Sequence, residues 1–203
     1  MGCSDSKPIR PVDGERQLQE AAESGDFTRV KQLLAAGAPA DISSPGLCWS
    51  PLHSAVSCGH SDIVKTLLEN GASPELRSSF AATPLHIASS GGNVECIQYL
   101  LDKGVDINCR DDLSRTPLHG AAGEGRDEAI TYLLEKGASP SFDASVTENP
   151  NRYGITPLMR AAKNGHVKAA KALLEGGGVD QSTLPRGSRP LSRRSSAHTQ
   201  DKV

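Results

Sequence analysis

Three histidines recur at a fixed interval and are the first side chains that could carry chemistry. His53, His86 and His119 lie 33 residues apart, each at the end of a Ser/Thr-Pro-Leu-His phrase. Imidazole rings act as general bases and as metal ligands. Because each phrase contributes one histidine, stacked repeats would space the rings along the protein instead of gathering them around one ion. We therefore expect structural roles for these histidines and no metal site.

Sequence motifs for nucleotide binding or hydrolysis are absent. The chain contains no G-x-x-x-x-G-K-[ST], H-E-x-x-H or G-x-S-x-G. Its cysteines are odd in number and include no C-x-x-C pair, which favours reduced thiols over disulfides or zinc. These cysteines are Cys3, Cys48, Cys58, Cys96 and Cys109. We expect a protein that is not an enzyme, has no catalytic residues and needs no cofactor.

The opening residues, MGCSDSK, contain an acceptor site for lipids. Met-Gly-x-x-x-Ser is the pattern for myristoylation of Gly2 after removal of Met1. One myristoyl chain gives only marginal attachment, with an association constant on the order of 10⁴ M⁻¹, and a palmitoyl group on Cys3 would make the attachment durable. This start is similar to those of doubly acylated signalling proteins at the inner plasma membrane. The alternative is a chance match to a short motif.

The C-terminal residues 181–203 carry five basic residues against one acidic residue, a net charge of +4. The total is −2, so the remainder carries −6. Anionic lipid attracts each nearby basic side chain by roughly 1 kcal/mol. Ser195 and Ser196 follow Arg193-Arg194 and resemble a basophilic kinase site; a phosphate there adds about −1.5 to −2 charge. We expect an electrostatic switch, the alternative being an unregulated polar tail.

The first twenty residues lack the apolar segment of a secretory signal, and no stretch approaches the roughly 18 apolar residues of a membrane helix. We therefore expect a chain that is not exported and that lies at the inner leaflet, or alternatively in the cytosol or nucleus. Aromatic residues make up only 3% of the chain. Leucine and alanine must therefore fill the interior.

The histidine phrases belong to a longer internal repeat. They occupy Ser50–His53, Thr83–His86 and Thr116–His119, and a variant, TPLM, occupies Thr156–Met159 after an interval of 40 residues. Each phrase leads into small residues, a glycine and a Leu-Leu pair. Residues 18–38 have the same layout without the phrase. The chain thus contains five units, the signature of a repeat architecture.

One unit reads as two short helices. Proline after a threonine cap predicts a helix over 84–90, which Gly91-Gly92 ends. The second helix has an apolar stripe at helical spacing, and Gly104 ends it. The stripe comprises Val94, Cys96, Ile97, Leu100 and Leu101. Two short helices cannot bury such a stripe alone, so the units must stack into an all-α solenoid.

The T-P-L-H phrase and its 33-residue period resemble the ankyrin-repeat family. The resemblance covers residues 14–180, between an acylated flexible arm (1–13) and a disordered basic tail (181–203). It implies helix-turn-helix units joined by β-turn fingers, at about 14–44, 45–77, 78–110, 111–150 and 151–180. It also implies that the phrase histidines bond to backbone between units. Cys48 stands where the family has a finger glycine, and Met159 replaces the last histidine.

The family layout further implies a concave groove formed by the fingers and first helices. Three of the seven aromatic residues lie at its positions together with several arginines, a composition typical of binding hot spots. These positions are Trp49, Cys58, Arg77, Phe80, Arg110, Asp112, Leu113, Arg115, Glu124, Arg152, Tyr153 and Lys163. Arginines near its middle favour a partner with acidic character. The alternative is that these side chains pack between adjacent fingers.

The resulting hypothesis is a monomeric, non-enzymatic adaptor that holds one or more unidentified proteins in its groove and is tethered to a membrane. The acidic body argues against nucleic acid as a partner. Two alternatives stay open: an untethered cytosolic or nuclear regulator, and a regulatory or inhibitory subunit of an enzyme. Seven extra residues within 141–154 enlarge the last finger, either for specificity or as a neutral insertion.

Overall fold

The computed structural model describes residues 11–41, 48–141 and 154–176. Within these ranges the chain forms ten helices and no strands. The first helices of the five units are Pro11–Ser24 (α1), Pro51–Cys58 (α3), Pro84–Gly91 (α5), Pro117–Gly123 (α7) and Pro157–Lys163 (α9). The second helices are Phe27–Ala35 (α2), Ser61–Glu69 (α4), Val94–Asp102 (α6), Asp127–Glu135 (α8) and Val167–Gly176 (α10). The all-α fold is confirmed.

The helices form two rows. The first helices pack side by side in chain order, and the second helices form a parallel row that covers one face of the first. This is the expected stack of helix pairs. One boundary differs from expectation: α1 begins at Pro11, so residues 11–13, assigned from sequence to the N-terminal arm, belong to a helix.

The Ser/Thr-Pro-Leu-His phrase begins a helix in each of three units because both ends of the phrase form hydrogen bonds. Ser50 Oγ accepts from the backbone N–H of His53 at 3.3 Å, and His53 Nδ1 accepts from the backbone N–H of Ser50 at 3.2 Å. This reciprocal pair is a capping box in which histidine takes the usual place of glutamate. Proline occupies the first turn, where no hydrogen bond is lost. Gly92, at φ 81°, ends α5 in the left-handed conformation.

The interior consists of leucine, isoleucine, valine and alanine, as the composition predicts. Leu52, Leu85 and Leu118, the leucines of the three phrases, are fully buried between neighbouring units. In α6, Cys96, Ile97 and Leu100 are buried, whereas Val94 and Leu101 are only partly covered. No aromatic residue in the described part of the chain is fully buried. Small side chains allow the helices of adjacent units to approach closely.

Side chains in the loops between paired helices bond each unit to the preceding one. The residue after each loop glycine reaches back to a carbonyl at the end of the previous first helix. The four bonds are His60 Nε2 to Glu23 O at 3.2 Å, Asn93 Nδ2 to Val56 O at 3.2 Å, Arg126 Nε to Ser90 O at 3.0 Å, and His166 Nε2 to Gly123 O at 3.0 Å. These bonds give carbonyls near the helix ends a partner in the next unit, and the Val56 carbonyl also accepts from the backbone N–H of Gly59. None of the described helices is long and apolar enough to cross a bilayer.

Candidate functional site

The second finger (residues 76–82) and the third finger (residues 109–115) are tight hairpin turns. In the second, Ser78 N–H donates to Ala82 O at 2.9 Å and Ala81 N–H donates to Ser78 O at 2.8 Å. The third finger repeats both bonds, at 3.0 and 2.9 Å, 33 residues later. A β-turn followed by a left-handed residue is a standard three-residue hairpin loop. The predicted β-turn fingers are therefore confirmed at these two positions.

In the described residues of the first three fingers, the left-handed position holds a residue other than glycine. Cys48, Ala81 and Ser114 have φ values of 48°, 53° and 58°. Cys48 therefore adopts the conformation that glycine provides in the family, and so do Ala81 and Ser114. Each of these residues costs roughly 1 kcal/mol relative to glycine because its Cβ approaches the backbone.

Asp111 organises the third finger and was missed by the sequence analysis. Its carboxylate accepts from the backbone N–H groups of Leu113 and Arg115, each at 2.9 Å. It also accepts from Arg115 Nε at 2.7 Å and is ion-paired with Arg115 Nη2 at 2.7 Å. Burial disfavours its charge, but these bonds outweigh the burial and hold the pKa of Asp111 below its usual value. An aspartate two residues before the finger tip is an Asx-turn signal that could have identified it.

Two hydrogen bonds join the second finger to the third, one from an arginine side chain to a backbone carbonyl and one between backbone groups. Arg77 Nη1 donates to Arg110 O at 2.9 Å, and Asp112 N–H donates to Phe80 O at 3.3 Å. Arg77 and Arg110 line a depression with Glu75, separate from the two cavities that contain five of the other predicted groove residues. Arg77 thus helps to hold the finger stack. Arg115 is ion-paired with Asp111, whereas Arg77 keeps its positive charge when it bonds to the Arg110 carbonyl, so the acidic partner expected from the sequence stays a prediction.

Two neighbouring cavities lie along the concave face. The first, of about 390 Å³, brings together Trp49, Cys58 and Phe80, three of the predicted positions. Its accessible lining is mainly apolar. The second, of about 360 Å³, brings together Arg115 and Glu124. The predicted groove therefore consists of an apolar part near the first fingers and a charged part near the third.

The charged part contains two arginines and two acids. Arg160 on α9 joins Arg115, Asp111 and Glu124 around the second cavity. Sequence reasoning did not include Arg160, which lies one residue after the Met159 that replaces the phrase histidine. The four formal charges cancel. This part of the surface consequently does not select strongly for one sign of charge.

The finger tips expose large apolar side chains. Phe80 and Leu113 occupy the central position of the second and third finger loops and are 68% and 57% exposed. Asp112, Glu124 and Lys163 are also exposed, and Asp112 lies at the tips, next to Leu113 and bonded through its N–H to the Phe80 carbonyl. The remaining predicted positions lie outside the described residues: Arg152 and Tyr153 in the groove, Gly2 and Cys3 for lipids, and Ser195 and Ser196 for phosphate.

In His86 and His119 both ring nitrogens form hydrogen bonds, whereas among the described residues His53 Nε2 is buried and forms none. In His86 and His119, Nδ1 accepts from the backbone N–H of the capping threonine, so Nε2 carries the proton. Nε2 donates to the carbonyls of Arg115 and Ile155, at 2.9 and 2.8 Å, in the following unit. The Ala82 carbonyl lies in the equivalent place for His53. The predicted bonding between units is confirmed for His86 and His119.

Burial keeps these rings neutral. Desolvation lowers the pKa of His53 and His86, and it lowers the pKa of His119 to about 4. Within the described residues, no group of three or more His, Cys, Asp or Glu side chains could hold a metal ion. Burial also raises the pKa of Cys96 to about 11, so that this thiol stays protonated. The histidines and Cys96 are structural.

Comparisons with known proteins agree with this architecture. A family model described as "Ankyrin repeats (3 copies)" matches residues 73–144 and 109–184, and one described as "Ankyrin repeats (many copies)" matches residues 18–68. The 2-5A-dependent ribonuclease of Mus musculus is 43% identical over 72 residues, which are 36% of this chain and 10% of that protein. The Homo sapiens 2-5A-dependent ribonuclease is 39% identical over 72 residues, with the same coverage. The Arabidopsis thaliana E3 ubiquitin-protein ligase XBAT33 is 44% identical over 79 residues, 38% of this chain and 14% of that protein.

The alignments span about a tenth to a seventh of these relatives, so the similarity is one between repeat regions. The similarity therefore does not indicate ribonuclease or ligase activity in this chain. The stacked helix pairs, the hairpin fingers and the family matches together show that the chain belongs to the ankyrin-repeat family, whose repeats are protein-interaction modules.

Proposed function

We propose that this protein is a non-enzymatic adaptor that binds a partner protein on its concave finger surface and is tethered to the cytoplasmic face of a membrane by N-terminal lipids. The observation that supports binding at the fingers is the exposure of Phe80 and Leu113 on adjacent tips. Exposed apolar side chains beside a cavity are typical of interaction sites, where their burial drives association. The left-handed residues behind the tips fit this role, because local strain is retained where function requires it.

Proximity labelling with the full-length protein tests the binding surface. The double variant Phe80→Ala/Leu113→Ala should lose the labelled partner by about tenfold or more, as expected for apolar hot-spot residues. Phe27→Ala/Leu174→Ala is a matched control, since these side chains are exposed on the outer helices α2 and α10. An unchanged set of labelled proteins in the first variant would contradict binding at the fingers.

The tether follows from the sequence pattern at Gly2, Cys3 and Ser6. Two acyl chains supply the two signals that durable membrane attachment requires. Intact-mass measurement of protein produced with an N-myristoyltransferase should show a myristoylated Gly2. Gly2→Ala should move the protein to the soluble fraction, Cys3→Ser should weaken its attachment, and Ser4→Ala should change neither. An acetylated or unmodified N-terminus would exclude the tether.

The basic tail gives a second, regulated contact with the membrane. Its net charge of +4 attracts anionic lipid, and phosphates on Ser195 and Ser196 would nearly cancel it. Sedimentation of the full chain with phosphatidylserine vesicles tests this contact. Ser195→Glu/Ser196→Glu should reduce the bound fraction, and Ser195→Ala/Ser196→Ala should not. Equal binding of the two variants would remove the switch.

Two other functions remain as alternatives. An untethered cytosolic or nuclear regulator would show the same distribution with and without Gly2→Ala. A regulatory or inhibitory subunit is favoured by the names of the relatives, a ribonuclease and ubiquitin ligases, in which similar repeats occur in the chain of an enzyme. Co-purification of a catalytic partner with the full-length protein distinguishes this possibility from the adaptor.

A further inference from the structure

We infer that the cavity beneath the second finger receives an apolar side chain of a partner segment, and that a lysine or arginine of the same segment lies beside Glu23. This inference depends on the protein-binding function proposed above and specifies the chemistry of the partner. The cavity is the 390 Å³ depression lined by Trp49, Cys58 and Phe80, together with Glu23 on α1.

The size and lining of the cavity suit an apolar anchor. Its volume of about 390 Å³ lies within the range of roughly 300–1,000 Å³ found for ligand pockets, and its accessible surface is mainly apolar. Serines on both walls, Ser54 and Ser78 among them, add hydroxyl groups without charge. A large side chain inserted here would bury the exposed ring of Phe80 and the accessible part of Trp49.

The walls of the cavity are held in place before a partner arrives. The Trp49 ring lies 5.1 Å from the His53 ring, centroid to centroid, and His53 is fixed by the capping box of α3. On the opposite wall, Phe80 N–H donates to Ser78 Oγ at 3.4 Å, and Phe80 O accepts from Asp112 N–H at 3.3 Å. A preorganised site binds with a smaller entropic cost than a flexible one.

The charge at the cavity has one sign. Among the described residues that line it, Glu23 is the sole charged residue, and no lysine or arginine is present. The end of α1 that carries Glu23 is anchored by the bond from His60 Nε2 to the Glu23 carbonyl. Beside an apolar surface, a carboxylate with no lysine or arginine in the cavity lining attracts a cationic group of a ligand and repels an anionic one.

Neighbouring surfaces do not reverse this preference. The second cavity has balanced charges, with Arg115 and Arg160 against Asp111 and Glu124. Arg77 keeps its positive charge and donates from Nη1 to the carbonyls of Ala81 and Arg110 in the finger stack, but it does not line the first cavity. Charge complementarity therefore favours a basic-apolar segment at the first cavity over an acidic one.

Selection of a phage library of random 12-residue peptides on the full-length protein tests the inference. We expect enriched peptides that combine a large aliphatic or aromatic residue with lysine or arginine. A synthetic peptide of the enriched sequence should bind Phe80→Ala about tenfold more weakly, in line with loss of a hot-spot contact. Glu23→Lys should weaken binding severalfold, and a peptide with its basic residue changed to glutamate should recover affinity for Glu23→Lys.

Matched controls separate this site from general surface effects. Phe27→Ala and Glu69→Lys change an exposed phenylalanine and a glutamate on the outer helices. Both should leave the dissociation constant of the peptide within about twofold of the unmodified protein. Thermal unfolding midpoints show whether each variant is folded before its binding is measured.

Three results would overturn the inference: no enriched peptide, enriched peptides rich in aspartate or glutamate, or peptides whose binding ignores Phe80 and Glu23. Proximity labelling distinguishes these failures from failure of the proposed function. If labelling depends on Phe80 and Leu113 while the peptides show no basic preference, the adaptor function stands and the partner chemistry is wrong. If labelling is also unchanged, the proposed binding function itself is wrong.

Discussion

His86 Nε2 donates a hydrogen bond of 2.9 Å to the carbonyl oxygen of Arg115, the residue immediately before the phrase of the next unit. The same ring accepts, at Nδ1, from the backbone N–H of Thr83. One neutral histidine thus caps its own helix and fixes the neighbouring finger. His119 repeats both bonds one unit later. The coupling between helix cap and finger explains why the phrase recurs at the repeat period.

The first prediction concerns acid stability. The folded-state pKa of His119 is about 4, lowered by burial, against about 6.5 in the unfolded chain. The unfolded state therefore binds the proton first, and stability that is complete above pH 6.5 falls as the pH drops below it. At pH 5 the loss from His119 alone is about 2 kcal/mol. Denaturant unfolding at pH 7.5, 6 and 5 measures this loss.

A variant isolates the contribution of His119. His119→Met reproduces the residue found in the last unit, Met159, and removes both histidine hydrogen bonds. It should lower stability at pH 7.5 by about 1–3 kcal/mol, because backbone partners are left unpaired. Its further loss between pH 7.5 and pH 5 should be smaller than that of the unmodified protein. An identical pH dependence in both proteins would contradict the assignment.

A second prediction concerns the strained finger residues. Ala81 has φ 53°, a conformation that costs an alanine roughly 1 kcal/mol and glycine almost nothing. Ala81→Gly should therefore raise the free energy of unfolding by up to about 1 kcal/mol. Ser79→Gly, in the same finger but without a positive φ, is the control and should give no gain. Urea unfolding of both variants tests this prediction. A lower free energy of unfolding in Ala81→Gly would contradict strain at Ala81.

A third prediction concerns the carboxylate that holds the third finger. Asp111→Asn removes the charge that pairs with Arg115. It also replaces one carboxylate oxygen with an NH₂ group, which cannot accept from the donors that face it. The expected loss is about 1–3 kcal/mol in the free energy of unfolding. Asp112→Asn changes the exposed neighbour and should cost distinctly less. Equal effects of the two substitutions in urea unfolding would show that Asp111 has no special role.

A fourth prediction uses two glycines that differ only in their surroundings. Gly92 and Gly104 both have left-handed φ, of 81° and 82°, but a Cβ on Gly92 would lie 2.9 Å from Arg126 Cδ, whereas one on Gly104 meets nothing within 4 Å. Gly104→Ala should cost about 1 kcal/mol, the conformational term alone. Gly92→Ala should cost more, and the excess should disappear when Arg126 is also changed to alanine. Chemical denaturation of the unmodified protein, Gly92→Ala, Arg126→Ala and the double variant measures this excess. If the excess persists without Arg126, contact with Arg126 is not its cause.

The sequence predicts the helices of this protein well because their signals are local. Threonine caps, first-turn prolines and terminal glycines recur at each unit, and α5 differs from its predicted range by one residue, Gly91. The N-terminal arm was predicted to extend to residue 13, whereas α1 begins at Pro11. Residues 11–13 carry no repeat signal, since the first unit lacks the phrase.

The finger contacts were less predictable because they form between units. Asp111 has Ser78 as its counterpart one period earlier, so no repetition marked it. The bond from Arg77 to the Arg110 carbonyl joins residues 33 positions apart and depends on the stack. The family layout places Arg77 among the groove positions, but it does not reveal the bond from its side chain to the backbone of the next finger.

Hydrogen–deuterium exchange on the full-length protein, with and without a saturating peptide selected from the phage library, is the most direct test of partner binding on the concave face. Peptide binding at the first cavity should slow exchange in residues 48–58 and 76–82, which surround this cavity. Exchange in the outer helices α4, α6 and α8 should be unchanged. Protection confined to the outer helices, with the fingers unaffected, would contradict a partner-binding surface on the concave face.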